Sequence, residues 1–399
     1  MLGLAAVIVC LSACSGGGTA HTSATTTSER VAPRRSPGVS APLPAARGSV
    51  VVLYDADSGE LLGAPVADPQ AGIWYLILRA TKVDLDHLDA SGSVSSIQLP
   101  KDFAGGSANG NPGLGEHEPT LAVDRDGTVW VLGRRTLAEV RPGASAATFI
   151  PFGPLPDNHG TDRSAPDARD SLVQQVLVSN GAGRVAFALT ATPIVREYDA
   201  NTGRFIDVHL PAGSHAESLR FFGDGSLAIG IDNVVNGDRT HARIARPDGT
   251  LTAPIEITNA AVLNPYSDTA VLAGAFPGRT VLRRDGTTSE LQLPVEGPAP
   301  IGGVQRGRNG TIVVPTQAGI TVLAGASDPA IRTTLPYATA WCAPIGGGPY
   351  PTGGRAVRQS SACAIVPADV VVGSDGAIWQ LIVQYVDVTH LIVERTARY

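Results

Sequence analysis

The sequence predicts an all-β protein, a single β-propeller of about seven four-stranded blades, and three observations support this prediction. The stretch 119–151 contains four short strand-forming runs separated by turn residues. The same pattern recurs with a period of roughly 40–55 residues, which is the range of propeller blades. No long segment after the N-terminal leader has apolar residues at helical spacing. A sandwich or a barrel would not explain a four-strand repeat of this length.

The stretch 119–151 shows how each predicted blade is built. Its four strands are predicted at 121–123, 128–132, 136–140 and 148–150. Asp126-Gly127 provide the positive φ angles that a tight hairpin turn between the first two strands needs. One such sheet cannot bury both of its faces, so it needs copies of itself alongside.

The copies are found along the rest of the chain. A short apolar second strand follows a turn signal at 72–78, 183–189, 224–231, 268–274, 309–314 and 375–383. Runs this short suit strands that are covered on both faces. The fourth strand often closes on Leu-Pro, at 99–100, 210–211, 293–294 and 335–336. Proline is tolerated there because an outer edge strand can spare the N–H group.

The repeat also carries a family resemblance. Pro119–Asp124 followed by Asp126–Val131 resembles the repeat of propellers of the NHL, SMP-30 (gluconolactonase-like) and virginiamycin B lyase type, and Ser374–Trp379 resembles its second half. The resemblance extends from about Gly48 to the end of the chain and implies the propeller fold. It brings no catalytic residue with it, because the matching residues are turn and core positions.

The predicted propeller domain covers 48–399, and its ring is expected to close by pairing of the N- and C-terminal strands. The apolar run Val50–Tyr54 would then pair in the blade that contains Asp369–Arg395. An unpaired sheet edge promotes aggregation, so such closure would protect the fold.

Residues 1–13 are predicted to be a lipoprotein signal peptide. Leu11-Ser12-Ala13-Cys14, followed by a Gly-rich stretch, resembles the lipobox of bacterial lipoproteins, in which the cysteine is acylated with chains such as palmitate. The apolar run is too short to span a bilayer. The resemblance implies a protein anchored through Cys14 to the cell membrane on its extracytoplasmic side. The alternative is an ordinary signal peptide in which Cys14 is incidental.

Residues 14–47 are predicted to be a disordered tether between the anchor and the propeller. The stretch 19–47 is rich in Ser, Thr, Ala and Pro and has no apolar period. The chain as a whole has a net charge of −6, and its Lys and Arg residues do not cluster. A nucleic-acid partner is therefore not expected.

Two cysteines remain once Cys10 and Cys14 are assigned to the leader and the anchor. Cys342 and Cys363 lie in one long Gly/Pro-rich insert, and two cysteines in an exported chain most simply form a disulfide. The alternative is a zinc site, which would need more Cys or His residues than this insert contains.

Three long non-repetitive stretches interrupt the pattern at 101–118, 153–170 and 337–368. Each joins the fourth strand of one predicted blade to the first strand of the next. Connections of this class lie on one face of a propeller, so three expansions predict a binding surface there. The alternative is neutral drift in tolerant loops.

Imidazole and carboxylate groups gather where predicted first strands begin. His117 and Glu118 precede the first strand of one blade, and His215 and Glu217 hold the matching place two blades further on. His159 lies in a connection of the same class. If they converge, these groups could hold a divalent metal or act as general acid and base. The alternative is that each caps a strand end or is simply solvated.

The four tryptophans are assigned in two ways. Trp341, beside Cys342, could be an exposed stacking platform for a ligand or could pack on the disulfide. Trp74, Trp130 and Trp379 occupy second-strand positions and are predicted to lie in the core.

Two aspartate-rich stretches resemble fragments of a calcium loop. Asp124–Gly127 and Asp55–Gly59 each lack the distal bidentate acid that completes such a site. Ordinary Asp/Gly hairpin turns are therefore predicted at both places.

The sequence favours a lipid-anchored, extracytoplasmic propeller that binds a partner on its insert-bearing face, without catalysis. The partner could be an envelope protein, a glycan or a small molecule. The second hypothesis is a metal-assisted lyase or lactonase-like hydrolase with its site over the central channel. It rests on the resemblance alone, because the familiar catalytic motifs are absent. An envelope-assembly scaffold without a small-molecule site is the third.

Overall fold

The computed structural model of the chain describes most of the region after residue 55. The described residues are 56–57, 60–79, 82–100, 103, 121–133, 135–153, 175–189, 192–233, 238–257, 262–274, 278–292, 304–307, 310–316, 319–324, 331–335, 364–386 and 388–396. The predicted signal peptide, lipidation site and tether lie outside them.

The described residues form strands that assemble into seven four-stranded sheets. After β1 (Ala56–Asp57), sheet 1 consists of β2 (Glu60–Ala67), β3 (Ile73–Arg79), β4 (Lys82–Leu88) and β5 (Val94–Leu99). Sheet 2 consists of β6 (Leu121–Val123), β7 (Val129–Leu132), β8 (Thr136–Val140) and β9 (Thr148–Pro151). Sheet 3 consists of β10 (Gln175–Ser179), β11 (Arg184–Leu189), β12 (Ile194–Asp199) and β13 (Arg204–His209). Sheet 4 consists of β14 (His215–Phe221), β15 (Leu227–Asn233), β16 (Asp238–Ala245) and β17 (Ile255–Glu256).

The remaining three sheets complete the order. Sheet 5 consists of β18 (Leu263–Ser267), β19 (Ala270–Ala273), β20 (Gly278–Arg283) and β21 (Thr288–Gln292). Sheet 6 consists of β22 (Gln305–Arg306), β23 (Ile312–Thr316), β24 (Gly319–Leu323) and β25 (Ile331–Leu335). Sheet 7 consists of β26 (Ala364–Val372), β27 (Ile378–Val386), β28 (Val388–Thr396) and β1.

All neighbouring strands within the sheets are antiparallel, and the first strands of successive sheets lie side by side. The contacts run in order through β2, β6, β10, β14, β18, β22 and β26, and β26 also contacts β2. This arrangement confirms the predicted all-β propeller with four-stranded blades. β1 pairs with β28 through Ala56 and Leu391 and through Asp57 and His390. Val50–Tyr54 lie outside the described residues, so the pairing predicted for them stays a prediction.

Apolar side chains from facing sheets form the core between each pair of neighbours. Leu85 and Ile97 of sheet 1, for example, pack in one cluster with Val131 and Ala138 of sheet 2. All four residues of β7 are buried, because this second strand is covered on both faces as predicted. Equivalent clusters join sheets 2 to 3, 3 to 4, 4 to 5, 5 to 6 and 6 to 7.

Two of the three tryptophans predicted to be core are fully buried. Trp130 is 1% exposed and Trp379 is 0% exposed. Trp74 departs from the prediction because it is only partly buried: one face of its ring stacks on His87.

The Asp/Gly turn between β6 and β7 is a hairpin turn, as predicted, and is stabilised by its own aspartate. Gly127 has a φ of 91°, and its N–H donates to the carbonyl of Asp124 at 3.0 Å. The positive φ predicted for Asp126 was wrong: of these two residues, only Gly127 has one. The N–H of Thr128 donates to Oδ1 of Asp126 at 2.9 Å. A left-handed φ favours glycine, and the aspartate side chain satisfies a backbone donor.

Turns of neighbouring sheets also contact one another at this end of the molecule, which we call the turn face. Three hydrogen bonds join them: Arg125 N–H to Gly181 O at 3.2 Å, Gly223 N–H to Asp268 O at 2.7 Å, and Ser374 Oγ to Pro69 O at 2.8 Å. The last of these joins sheet 7 to sheet 1. The turns therefore link neighbouring sheets in addition to the apolar core.

The predicted inserts need correction at their edges. Ala364–Ala368 belong to β26 rather than to the insert predicted at 337–368, because β26 continues back to pair Ala364 with Tyr385. Phe103, predicted to lie in the insert 101–118, is 2% exposed and packs in the core between sheets 1 and 2. Within the described part of the chain, no helix has the length and apolarity needed to cross a membrane.

Candidate functional site

The first strand of every sheet begins where the connection from the preceding sheet ends. We call this end of the molecule the connection face; it includes the starts of β6, β10, β14, β18 and β26. The predicted inserts attach here, since they join β5 to β6, β9 to β10 and β25 to β26. The loops themselves lie outside the described residues, apart from the edges noted above.

Two of the predicted site residues are in contact at the start of β14. Nε2 of His215 lies 2.5 Å from Oε1 of Glu217. The side chains are 10% and 22% exposed, so the pair is largely buried but open to solvent on the carboxylate side. A carboxylate that bonds one ring nitrogen fixes the orientation and tautomer of an imidazole.

A β-bulge lies at this end of β14. In the pairing of β14 with β15, Ala216 lies opposite Ile231 and Ser218 lies opposite Gly230, so Glu217 is the extra residue. Bulges redirect a side chain out of the regular alternation of a strand and occur often beside functional sites.

The sequence analysis missed a second histidine of sheet 4. His241, in β16, is paired with Ile231 of β15 and with Glu256 of β17. Its Nε2 is buried and has no hydrogen-bond partner among the described residues. A lone histidine in a strand is an ordinary pattern, so no sequence signal singles it out.

The other predicted site residues lie outside the described part of the chain. They are His117, Glu118, His159, Trp341 and the two cysteines Cys342 and Cys363. Their convergence with His215 and Glu217, and the disulfide, stay predictions. Among the described residues, no three His, Cys, Asp or Glu side chains are grouped so that they could hold a metal ion.

Two other groups of buried polar side chains lie in sheets 2 and 3, away from the connection-face pair. The Asp124 carboxylate accepts a hydrogen bond from Nε1 of Trp130 at 2.8 Å and another from the Ser179 hydroxyl of the neighbouring sheet. Arg184 forms an ion pair with Glu197, whose pKa is raised because it is buried, an effect that Arg184 opposes. The buried Nε of Arg184 has no hydrogen-bond partner among the described residues.

The chain was compared with known proteins. No protein-family model matches it, and no curated protein matches it in sequence. It is similar in structure to a catalytically inactive virginiamycin B lyase from Staphylococcus aureus with quinupristin, with a TM-score of 0.51, 12% identity, and coverage of 86% of this chain and 98% of that one. It is also similar to the WD40 repeats of RRP9, with a TM-score of 0.51, 10% identity, and coverage of 90% and 100%. A gluconolactonase-like protein matches with a TM-score of 0.40, 13% identity, and coverage of 89% of this chain and 94% of that one.

These similar structures include a lyase and a set of WD40 repeats. Identities this low show that the fold is shared; they do not show what activity this chain has. The resemblance found in the sequence is therefore confirmed at the level of architecture: the chain is an all-β propeller with four-stranded blades.

Proposed function

We propose that the chain is a lipid-anchored, extracytoplasmic binding module that binds its partner on the connection face. The observation that carries this proposal is the His215–Glu217 contact at the start of β14. It places an oriented imidazole and a partly exposed carboxylate on a rigid strand, at the end where the three longest connections attach. Polar groups held on a rigid scaffold lose little entropy when a partner binds.

The partner proposed for this face is an envelope protein, a glycan or a small molecule. A double variant, His215→Ala with Glu217→Gln, should weaken binding to a panel of purified cell-wall glycans and envelope proteins by at least about tenfold, if each lost hydrogen bond contributes on the order of 1 kcal/mol. His209→Ala is the matched control, because His209 is exposed on the outer strand β13 of the neighbouring sheet. Equal binding by the double variant and the control would rule out this site.

The insert at 337–363 is proposed to form part of the same surface. Replacing it with a short Gly-Ser turn should abolish binding and leave a folded propeller, because the repeated strands lie outside it. The milder change, Cys342→Ser with Cys363→Ser, should weaken binding more than it lowers thermal stability if a disulfide orders the insert. Full binding after insert replacement would contradict the proposal.

The membrane anchor is proposed from Cys14 alone. Cys14→Ser should move the protein from the membrane fraction to the soluble fraction and remove labelling by a fatty-acid analogue. Ser12→Ala leaves the cysteine in place and should behave like the parent. Membrane association that persists in Cys14→Ser would exclude lipid attachment at this residue.

The alternative function is a metal-assisted lyase or lactonase-like hydrolase with its site over the central channel. The His215–Glu217 pair favours it, because an imidazole oriented by a carboxylate is a competent general acid or base. In this case His117→Ala with Glu118→Ala, or His215→Ala alone, should lower divalent-metal affinity in calorimetry. Failure of the parent protein to take up any divalent metal would exclude the alternative and leave the binding module intact.

A further inference from the structure

A polar hollow opens on the turn face of sheet 1, at the opposite end of the molecule from the connection face. It has a volume of about 440 Å³ and lies between the β2–β3 turn and the β4–β5 turn. Its lining side chains are mostly polar: Asp68, Gln70, His87, Asp89, Ala90, Ser91, Ser93, Val94 and Ser95. The lining residues that the structure describes include no lysine or arginine, so the fixed charge among them comes from the two aspartates.

His87 is held in the wall of the hollow by three neighbours. Its Nε2 lies 2.8 Å from Oδ2 of Asp68, which is 5% exposed. The ring stacks on Trp74, with 4.3 Å between the ring centroids and 23° between the planes. Gly72 makes room for it, because a Cβ atom at this position would lie 2.6 Å from His87 Nε2 and 2.7 Å from the Leu88 carbonyl oxygen. The Asp68 hydrogen bond and the Trp74 ring therefore hold the imidazole in place.

The hydrogen bonding determines what His87 offers to a ligand. Burial acts to raise the pKa of Asp68, but donors from His87 and the Gln70 N–H hold it below its ordinary value. An ionised carboxylate only accepts hydrogen bonds, so Nε2 of His87 must donate. When the ring is neutral, its Nδ1 carries no proton and can accept a hydrogen bond. Within the described part of the chain, Nδ1 makes no hydrogen bond.

Asp89 supplies a second ionised carboxylate. Its Oδ1 accepts from the Ser91 N–H at 2.8 Å, from the Ser93 N–H at 2.9 Å and from the Ser91 hydroxyl at 2.6 Å. Burial acts to raise the pKa of Asp89, but these donors lower it overall. All three bonds use Oδ1, which leaves Oδ2 available as an acceptor. Among the described residues, no lysine or arginine side chain acts on either carboxylate.

The hollow thus combines two carboxylates with hydrogen-bond acceptors on Asp89 and His87. We propose that it binds a guanidinium group, such as that of an arginine side chain. Guanidinium is planar, always charged and carries five N–H donors in a fixed fork. Oδ2 of Asp89 and Nδ1 of His87 are acceptors suited to two of these donors, and the negative charge of both aspartates favours the cation. An ammonium group has the charge but not the fork, and should bind more weakly.

The probe that tests the proposal is N-acetyl-arginine-methylamide, compared with its lysine and citrulline analogues. Citrulline has nearly the same shape as arginine and no charge. Titrations are followed by NMR at the indole N–H of Trp74 and the ring protons of His87, assigned with the Trp74→Phe variant. Saturable shifts are expected with the arginine probe, weaker ones with lysine and none with citrulline. Equal response to arginine and citrulline, or no saturation with arginine, would overturn the proposal.

Variants of the lining residues show whether the arginine probe binds in the hollow. Each is paired with a control variant, so that a loss of binding can be told apart from a loss of folding. Asp89→Asn should weaken the arginine probe at least about tenfold, whereas Asp285→Asn should leave it unchanged. Asp285 makes the same turn bonds, to the Thr287 N–H at 2.9 Å and its hydroxyl at 2.6 Å, but lies in sheet 5. Ser95→Lys places a cation directly across from His87 on β5 and should abolish binding; Ser95→Ala should not. Normal binding in Asp89→Asn and Ser95→Lys would also overturn the proposal.

Two sources of guanidinium are separated by one further titration. Tighter binding of arginine within a peptide than of the free amino acid identifies a protein partner. Equal binding of the two identifies a small guanidinium compound, and both outcomes support the site. This site is independent of the connection face, so loss of one by mutation leaves the other testable.

Discussion

Sheets 1 and 2 both have an aspartate and a tryptophan near the turn between their first two strands, but the hydrogen bonds of these residues differ. In each sheet an aspartate precedes a tryptophan by six residues, as Asp68 and Trp74 or as Asp124 and Trp130. In sheet 2 the indole of Trp130 donates to Asp124, and Trp130 is buried. In sheet 1 the aspartate bonds His87 instead, and the indole N–H of Trp74 has no partner among the described residues.

The residue opposite the tryptophan on the third strand explains this difference. Trp130 faces Glu139, which is anionic, bonds Arg141 at 2.8 Å and cannot donate to Asp124. Trp74 faces His87, whose ring N–H competes with the indole for the carboxylate. The position four residues after the aspartate changes with it, from Thr128 in sheet 2 to Gly72 in sheet 1. Sheet 1 therefore has an open hollow where sheet 2 has the aspartate–tryptophan hydrogen bond, and the two sheets differ there at two positions.

The largest expected effect comes from removing the aspartate in sheet 2. Asp124→Ala leaves the Trp130 indole and the Ser179 hydroxyl without their acceptor in a buried site, and each unsatisfied buried group costs about 1–3 kcal/mol. We expect a loss of about 3 kcal/mol or more in the free energy of unfolding, measured with urea. Asp68→Ala should cost about half as much, because His87 is partly exposed and can bond water. Equal losses would mean that the two sheets do not differ in this way.

The next largest effect is expected at Gly72, because the absence of a side chain there leaves space for His87. Gly72→Ala should destabilise the fold by about 1–3 kcal/mol, as an overpacked site does, because the new Cβ meets a backbone carbonyl as well as the imidazole. Thr128→Ala, at the matching position of sheet 2, should cost less than about 1 kcal/mol. Thermal unfolding of the two variants provides the comparison. A neutral Gly72→Ala would show that His87 does not pack against this glycine.

A smaller contrast is expected for the two indoles. Trp130→Phe leaves Asp124 Oδ2 without a donor and should cost about 1 kcal/mol more than the loss of ring area alone. Trp74→Phe removes an indole N–H that bonds nothing among the described residues, so it should lose ring area only. Urea unfolding of both variants measures this difference. A larger loss for Trp74→Phe would indicate that its indole has a partner.

Local sequence signals were sufficient to predict the architecture. The Asp-Gly turn at 126–127 and the apolar runs after each turn predicted β6 to β9 within one residue, because a hairpin is determined by neighbours in sequence. The functional contacts depend on strand register instead. Asp68 and His87 are 19 residues apart, and only the pairing of β3 with β4 brings them together.

Strand register also explains why the site at the connection face was predicted only in part. His215 and Glu217 could be proposed as a pair, because both precede the same strand. The β-bulge at Glu217 arises from the pairing of β14 with β15, which local sequence does not determine. For sheet 1, a comparison with sheet 2 provides the signal. The two sheets share the aspartate and tryptophan positions, but the residue opposite the tryptophan is His87 in sheet 1 and Glu139 in sheet 2.

The smallest expected effect is the pH dependence of the Asp68–His87 contact. Hydrogen bonding to His87 and Gln70 outweighs burial and holds the folded-state pKa of Asp68 below its ordinary value of 3.8. A carboxylate of this kind stabilises the fold above its unfolded pKa, and the contribution is lost as pH falls through the lower folded value. The stability difference between the parent and Asp68→Asn, from urea unfolding, should therefore be constant between about pH 5 and 6 and shrink below the ordinary value. Ser95→Ala introduces no change in titrating groups, so its difference from the parent should not vary with pH. A difference for Asp68→Asn that grows as the pH falls would mean that burial dominates, and that Asp68 is not an ionised partner of His87.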